Sequence, residues 1–297
     1  MLARQLLTLG AIVLSMCAAA PLSTSPDWQG VDQALGRPGA EQPDGVRRYS
    51  FPRSDLRVTL DGVALKPGLA FGSWLAFQPM GNEVMLMGDL VLLQEEVNPV
   101  MSRLLDAGLT VTALHNHLMR SSPGTMYMHI HGHGNAVALA SAVRAALALS
   151  HTPLGAPAAA TQEPTAGFDA AAVDRILGAR GRLNGSIYQF SIPRRERITE
   201  AGVPVPPSMG LATAINIQPL ANGRAVTSGD FVLLASEVTP VLRALRANSI
   251  EVTALHNHLG QEQPRLFFMH FWGNGDAAAL ARGLRQALDR TGVRLQP

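Results

Sequence analysis

Hydrophobic and polar positions follow the same succession of periods twice along this chain, 141 residues apart. Each succession opens with a short amphipathic helix, at 31–35 or 173–177. It continues into strictly alternating positions, 73–78 or 214–218, whose period of two is that of a half-buried strand. A continuous apolar strand follows, GDLVLL or GDFVLL. A helix is then predicted from Asn98-Pro99 or Thr239-Pro240, where Asn or Thr caps and proline suits the first turn, with Gly108 closing the first copy. Two more strands and a last helix complete the unit. That helix starts at Asn135 or Asp276 and carries an apolar stripe through Leu280, Leu284 and Leu288. The predicted fold class is α+β: a tandem duplication of a β-α-β-β-α plait-like unit with extra N-terminal strands, its helices on one face of an antiparallel-rich sheet. Packing of the two copies about a pseudo-two-fold axis would join their uncovered faces in one cleft.

Direct matches confirm the duplication. VDQALGRPG at 31 answers VDRILGARG at 173, YSFPR answers YQFSIPR, and GDLVLLQEEVNPV answers GDFVLLASEVTPV. The expected organisation is a leader at 1–20, a first repeat at 28–150, a linker rich in alanine and proline at 151–167, and a second repeat at 168–297. Each repeat has the size of a domain and is expected to fold alone. His151, in the linker, is expected to have no specific role.

The leader changes the compartment. Arg4, the apolar run 6–16 and the small residues from Cys17 to Ala20 have the form of a secretory signal, which predicts export to a periplasm, cell envelope or extracellular space. Leu14-Ser15-Met16-Cys17 resembles a lipoprotein box, although Met16 stands where a small residue is usual; the two readings are lipidation of Cys17, the one membrane attachment the sequence offers, and ordinary signal cleavage near Ala19. Cys17 is also the only cysteine, which excludes a disulfide within one chain. A composition of 47% hydrophobic and 15% charged residues is globular, and a net charge of +2 gives no track for nucleic acid. The densest basic run, Arg194, Arg195 and Arg197, is broken by Glu196 and reads as a solvated strand end.

Histidine carries the candidate chemistry. Eight of the nine histidines lie in the repeated segments TALHNHL and MHIHGHGN or MHFWGNGD. Side chains two apart on a strand share a face, so His115 with His117, and His129 with His131, project together. A regular hairpin about Pro123 would set His117 opposite His129 and His115 opposite His131. The same construction about Pro264 sets His258 opposite His270 and His256 opposite Trp272. Clustered neutral imidazoles suit a borderline transition metal, zinc first and copper next. His256, His258 and His270 are the candidate open site. His115, His117, His129 and His131, with His133 nearby, are the candidate closed or storage site.

Carboxylates recur at matched places, Asp89 with Asp230 and Glu96 with Glu237. Glu237 and Glu96 are the candidate bases for metal-assisted hydrolysis, although helix N-terminal electrostatics explains both more simply. An Asx turn explains the two aspartates. GHGNA and GNGDA, ahead of helices, are explained by capping. Two rival readings remain: histidines acting as a metal-free acid and base pair in phosphodiester or glycosidic chemistry, and a binding module for a small-molecule or cell-envelope ligand with structural histidines.

On TALHNHL, the following Pro123 or Pro264, the histidine strand and the closing helix, the sequence resembles the LppY/LpqO-type bacterial lipoprotein family, whose function is unknown. The resemblance spans both repeats. It implies an exported protein that admits a lipid anchor, and supplies no reaction, substrate or catalytic residue.

Overall fold

The computed structural model describes residues 25–155 and 167–295, so the leader with Cys17, and 156–166 of the linker, lie outside the described residues. In the first repeat, helix α1 (Trp28–Leu35) precedes strands β1 (Ala40–Glu41), β2 (Arg47–Pro52), β3 (Gly72–Met80) and β4 (Glu83–Leu93). Helix α2 (Gln94–Asp106), strands β5 (Thr110–Asn116) and β6 (Thr125–Gly134), and helix α3 (Ala136–Leu147) follow. The second repeat runs through α4 (Ala170–Leu177), β7 (Arg182–Asn184), β8 (Ile187–Pro193), β9 (Ala212–Pro219) and β10 (Arg224–Leu234). It ends with α5 (Ala235–Ala247), β11 (Glu251–His256), β12 (Leu266–Asp276) and α6 (Ala277–Leu288). The class is mixed α+β, with the expected β-α-β-β-α order in each repeat.

Each repeat forms a six-stranded antiparallel sheet of the same order, β1-β2-β3-β4-β6-β5 and β7-β8-β9-β10-β12-β11. Alternation along β4 explains how each sheet is used. Val84, Leu86, Leu90 and Leu92 join Val31, Val100, Leu104 and Val143 in a core beneath the helices, whereas Met85 and Met87 point the other way. There they meet Val232, Leu266 and Phe268 of the second repeat. A fourth cluster mixes Leu60, Val91 and Tyr127 with Val226 and Trp272. Each repeat thus has a core of its own, and two further apolar clusters are shared between repeats.

Two local expectations are corrected. Helices α2 and α5 start at Gln94 and Ala235, four residues before Asn98 and Thr239, because Glu96 and Glu237 accept the backbone N–H of Leu93 and Leu234 and cap the ends from inside. Pro99 and Pro240 consequently lie within the helices. The start of the linker is also held: Arg37 donates to the Pro153 carbonyl, and His151 bonds Glu96 through its backbone N–H and Nδ1. Asn135 and Asp276 cap α3 and α6 as expected, accepting from Ala138 and Ala279.

Candidate metal centre between the repeats

The hairpin register differs from the regular one. Ala113 pairs with His129, His115 with Tyr127, and Thr110 with His131, with a bulge between Val111 and Ala113. In the second repeat Ala254 pairs with His270, His256 with Phe268 and Glu251 with Trp272, with a bulge between Val252 and Ala254. His117 therefore does not oppose His129, His115 does not oppose His131, His258 does not oppose His270, and Trp272 is not the wall beside His256. Between the bulge and the hairpin end the register is displaced by four residues, an even number, so His115 and His129, like His256 and His270, keep their shared face; beyond the bulge, at Thr110 and His131, it is displaced by five. The bulged threonines have a task of their own. Thr112 Oγ1 donates to the His258 carbonyl at 2.6 Å and Thr253 Oγ1 to the His117 carbonyl at 2.7 Å, which ties each hairpin to the opposite repeat.

The histidines come together across the repeats instead of within each. His115 and His256 stack at 3.6 Å between ring centroids. His117 lies 3.6 Å from His270, and His129 lies 3.8 Å from His258. Two overlapping sets bring their nitrogens within 4.8 Å of one another, His115 with His256 and His270, and His129 with His256 and His258. His131 falls outside these sets and packs against His133 at 4.6 Å. Tyr127 and Phe268 form the aromatic walls, at 4.3 Å from His117 and 3.4 Å from His258.

Protonation in this cluster follows from its hydrogen bonds. A carbonyl oxygen can only accept, so His256 Nδ1, 3.2 Å from the Asn257 carbonyl, carries the hydrogen; so does His270 Nδ1, 3.0 Å from the Gly229 carbonyl. A Cβ at Gly229 would lie 2.0 Å from the Ala214 carbonyl oxygen, so only glycine brings that carbonyl into place. Neutral imidazole then has a bare lone pair at Nε2. The two Nε2 atoms of His256 and His270 face each other at 2.8 Å. In the first repeat His115 Nδ1 donates to the Asn116 carbonyl at 2.8 Å, His129 bonds the Gly88 backbone, and their Nε2 atoms stand 3.0 Å apart. Desolvation holds the rings neutral. It pushes His115 down to about 4 and His256 to about 3, and keeps His117, His129, His258 and His270 well below the usual imidazole value, with neighbouring rings adding to the effect.

Two carboxylates adjoin the cluster. Asp89 and Asp230 pair in register with His129 and His270, in the middle of strands and not at turns, which corrects the Asx-turn reading. Asp230 lies 3.5 Å from His258 Nε2 and 3.8 Å from His270 Nδ1. Burial pushes Asp89 up to about 8 against the pull of Arg48, and pushes Asp230 well above the usual carboxylate range, with the charge of Asp89 adding. Asp89 Oδ1, Asp230 Oδ1, His117 Nδ1 and both nitrogens of His258 are buried without a hydrogen-bond partner. Each such group costs about 1–3 kcal/mol unless something else binds it.

Glu96 and Glu237 are engaged elsewhere. Glu96 pairs with the fully buried Arg53 at 2.7 Å, and Glu237 with Arg194 at 2.7 Å and the Gly292 N–H. Despite the opposing cost of burial, their hydrogen bonds to these arginines and to backbone hold both carboxyls below their ordinary value. Glu96→Gln is expected to destabilise the fold by roughly 1.5–3 kcal/mol in a urea titration, the cost of weakening charge-assisted hydrogen bonds to the buried Arg53, which keeps its pairing with Asp55, while the metal content stays unchanged.

Comparison with known proteins adds a family and little more. A model described as Domain of Unknown Function (DUF1259) matches residues 29–149 and again 171–290, and the chain belongs to that family, with the domain present twice. No curated protein matches. Among solved structures, the chain is similar at 13% identity to the double ringed trimeric shell protein MSM0271 from the RMM microcompartment, covering 71% of this chain and 84% of that one, with a TM-score of 0.21. EtuB from Clostridium kluyveri matches at 9% identity over 84% of this chain and 88% of that one, with a TM-score of 0.20. The trimeric bacterial microcompartment shell protein PduB matches at 10% identity over 86% and 96%, with a TM-score of 0.19. Among the described residues no helix is long and apolar enough to cross a membrane.

Proposed function

We propose that this duplicated member of a family of unknown function binds one transition-metal ion between its two repeats, zinc or copper, through His115, His129, His256 and His270. The observation that carries the reading is the pair of facing Nε2 lone pairs, 3.0 and 2.8 Å apart, in rings that burial keeps neutral. Two lone pairs at that separation repel unless a cation lies near both. Backbone carbonyls fix the far nitrogen of each ring, which is the outer support that orients an imidazole toward a metal.

One ion per chain follows because the two convergent histidine sets share His256. His117 and His258 flank the donors, and Asp89 and Asp230 supply two carboxylates that offset the charge of a divalent ion. A pseudo-two-fold axis through the stack of His115 on His256 accounts for the matched contacts on either side. His129 and His270 are each 2% exposed, so the centre is closed on that side and suits holding a metal better than hydrolysis at an open position. With Glu237 committed to Arg194, a hydrolytic base would have to come from the aspartates. The leader and the LppY/LpqO-type resemblance support an exported, envelope-located protein.

Elemental analysis of tag-free protein tests this reading. One zinc or copper per chain is expected in wild type, with loss in His129→Ala and in His270→Ala and retention in Asn257→Ala, whose side chain serves only the Leu266 carbonyl. Metal-free wild type, or equal metal in all three variants, would overturn it.

A further inference from the structure

The two shared apolar clusters occupy matched places but differ in composition. One contains Met85, Met87 and Met209, with Met80 packed on it. The other has no methionine: Val226 stands where Met85 does, Leu69 follows Pro67 as Met209 follows Pro207, and Ser228 replaces Met87. The same strand pairs differ again on the facing strand. Met87 pairs with His131 and Met85 with His133, whereas Ser228 pairs with Trp272 and Val226 with Asn274. Four neighbouring positions on one sheet face thus carry thioether and imidazole in the first repeat, and none of them does in the second.

Directly opposed residues on antiparallel strands have Cβ atoms about 4.5–5.5 Å apart, so each methionine lies beside its histidine. The His131 and His133 rings meet edge to face at 4.6 Å. His131 Nε2 is buried without a hydrogen-bond partner, while its ring lies half-buried and His133 is exposed. The Glu200 carboxylate interacts electrostatically with His133 and adds negative potential at the open end. Methionine as a pliable core filler would explain Met85 and Met87 alone. It leaves unexplained why the only histidines of the repeated segments outside the central cluster stand opposite those two residues.

We propose that Met85, Met87, His131 and His133 form a second site at the rim of the interface, for a soft cuprous ion. Thioether with imidazole selects Cu(I) over zinc, because zinc gains little from thioether sulfur. This site shares no residue with the centre between the repeats, and continues along β6 toward His129. In the second repeat Trp272 closes the corresponding place, donating its Nε1 hydrogen to Asp61 at 3.0 Å.

The test is anaerobic Cu(I) titration against a chromophoric chelator, with zinc binding measured in parallel. Wild type is expected to hold one more Cu(I) than Met85→Leu/Met87→Leu, and to show a sulfur shell in copper X-ray absorption that the variant lacks. His131→Gln/His133→Asn should lose the same equivalent, and both variants should keep the wild-type zinc content. If wild type and the His129→Ala and His270→Ala variants hold equal zinc and copper, the reading of the central site fails, yet the Cu(I) difference between wild type and the methionine variant still decides this one. Equal Cu(I) stoichiometry and equal absorption spectra in wild type and the methionine variant would overturn the rim site.

Discussion

Metal-free protein is expected to be most stable near pH 6–7 and to unfold cooperatively on mild acidification. The six clustered histidines have folded values pushed below the ordinary imidazole value of about 6.5 by desolvation, His115 to about 4 and His256 to about 3. Below that ordinary value the unfolded chain binds protons that the folded one refuses. The stability these groups contribute is therefore complete above about pH 6.5 and is lost as pH falls toward the folded values, at up to about 1.4 kcal/mol per pH unit for each ring. Asp89, raised to about 8, and Asp230, raised in the same direction, act with the opposite sign: folded, they keep a proton that the unfolded chain releases, so their contribution fades as pH rises toward 8. Between about pH 4 and 6.5 six bases outweigh two acids and stability climbs with pH; above that only the acids act, and it declines. Urea midpoints measured every half unit from pH 4.5 to 8.5 check this. A flat profile between 5 and 7 would show that the histidines are solvated in solution.

Much of this centre is legible in the sequence, and the missing parts have physical causes. Strand alternation places His115, His117, His129 and His131 on one face, and that survives because the true register differs from the regular hairpin by four residues on the turn side of the bulge, and the bulge itself absorbs the odd residue before His131. The register itself is not legible. The bulges fall at Thr112 and Thr253, whose hydroxyls serve the opposite repeat, and nothing in the local pattern announces a partner more than a hundred residues away. For the same reason a site built from both repeats looks, in sequence, like two sites. Asp89 and Asp230 follow glycine and imitate turn residues, yet the strands run through them because Gly88 and Gly229 present carbonyls to the histidines. Glu96 and Glu237 stand out by recurrence, and recurrence in a duplicated chain marks architecture as readily as chemistry; both belong to the arginine pairs that hold the helix starts.

Separating the repeats should show how far the centre depends on their union. Residues 168–297 retain the core of Phe231, Leu245, Phe271 and Leu284 under their helices, so this half is expected to keep its fold. It would also expose the opposite sheet face, where Val232, Leu266, Phe268 and Trp272 lose the first repeat as cover. Each such side chain is stabilised by about 1.5–3 kcal/mol when fully buried, so a solvated monomer is a poor state for this half. The surface best shaped to cover the face is the same face of a second copy, since the first repeat that normally covers it is built on the same plan. Such a dimer sets His256 against its own counterpart and gathers His256, His258 and His270 twice, which restores six histidines. The expected result is a dimer at micromolar concentration with one metal ion for every two chains, read by analytical ultracentrifugation and elemental analysis. Adding residues 25–155 should convert it to a one-to-one complex of unchanged metal content per complex. A stable monomer that binds a full equivalent of metal would mean that the second repeat holds the centre unaided, contrary to a site shared between repeats.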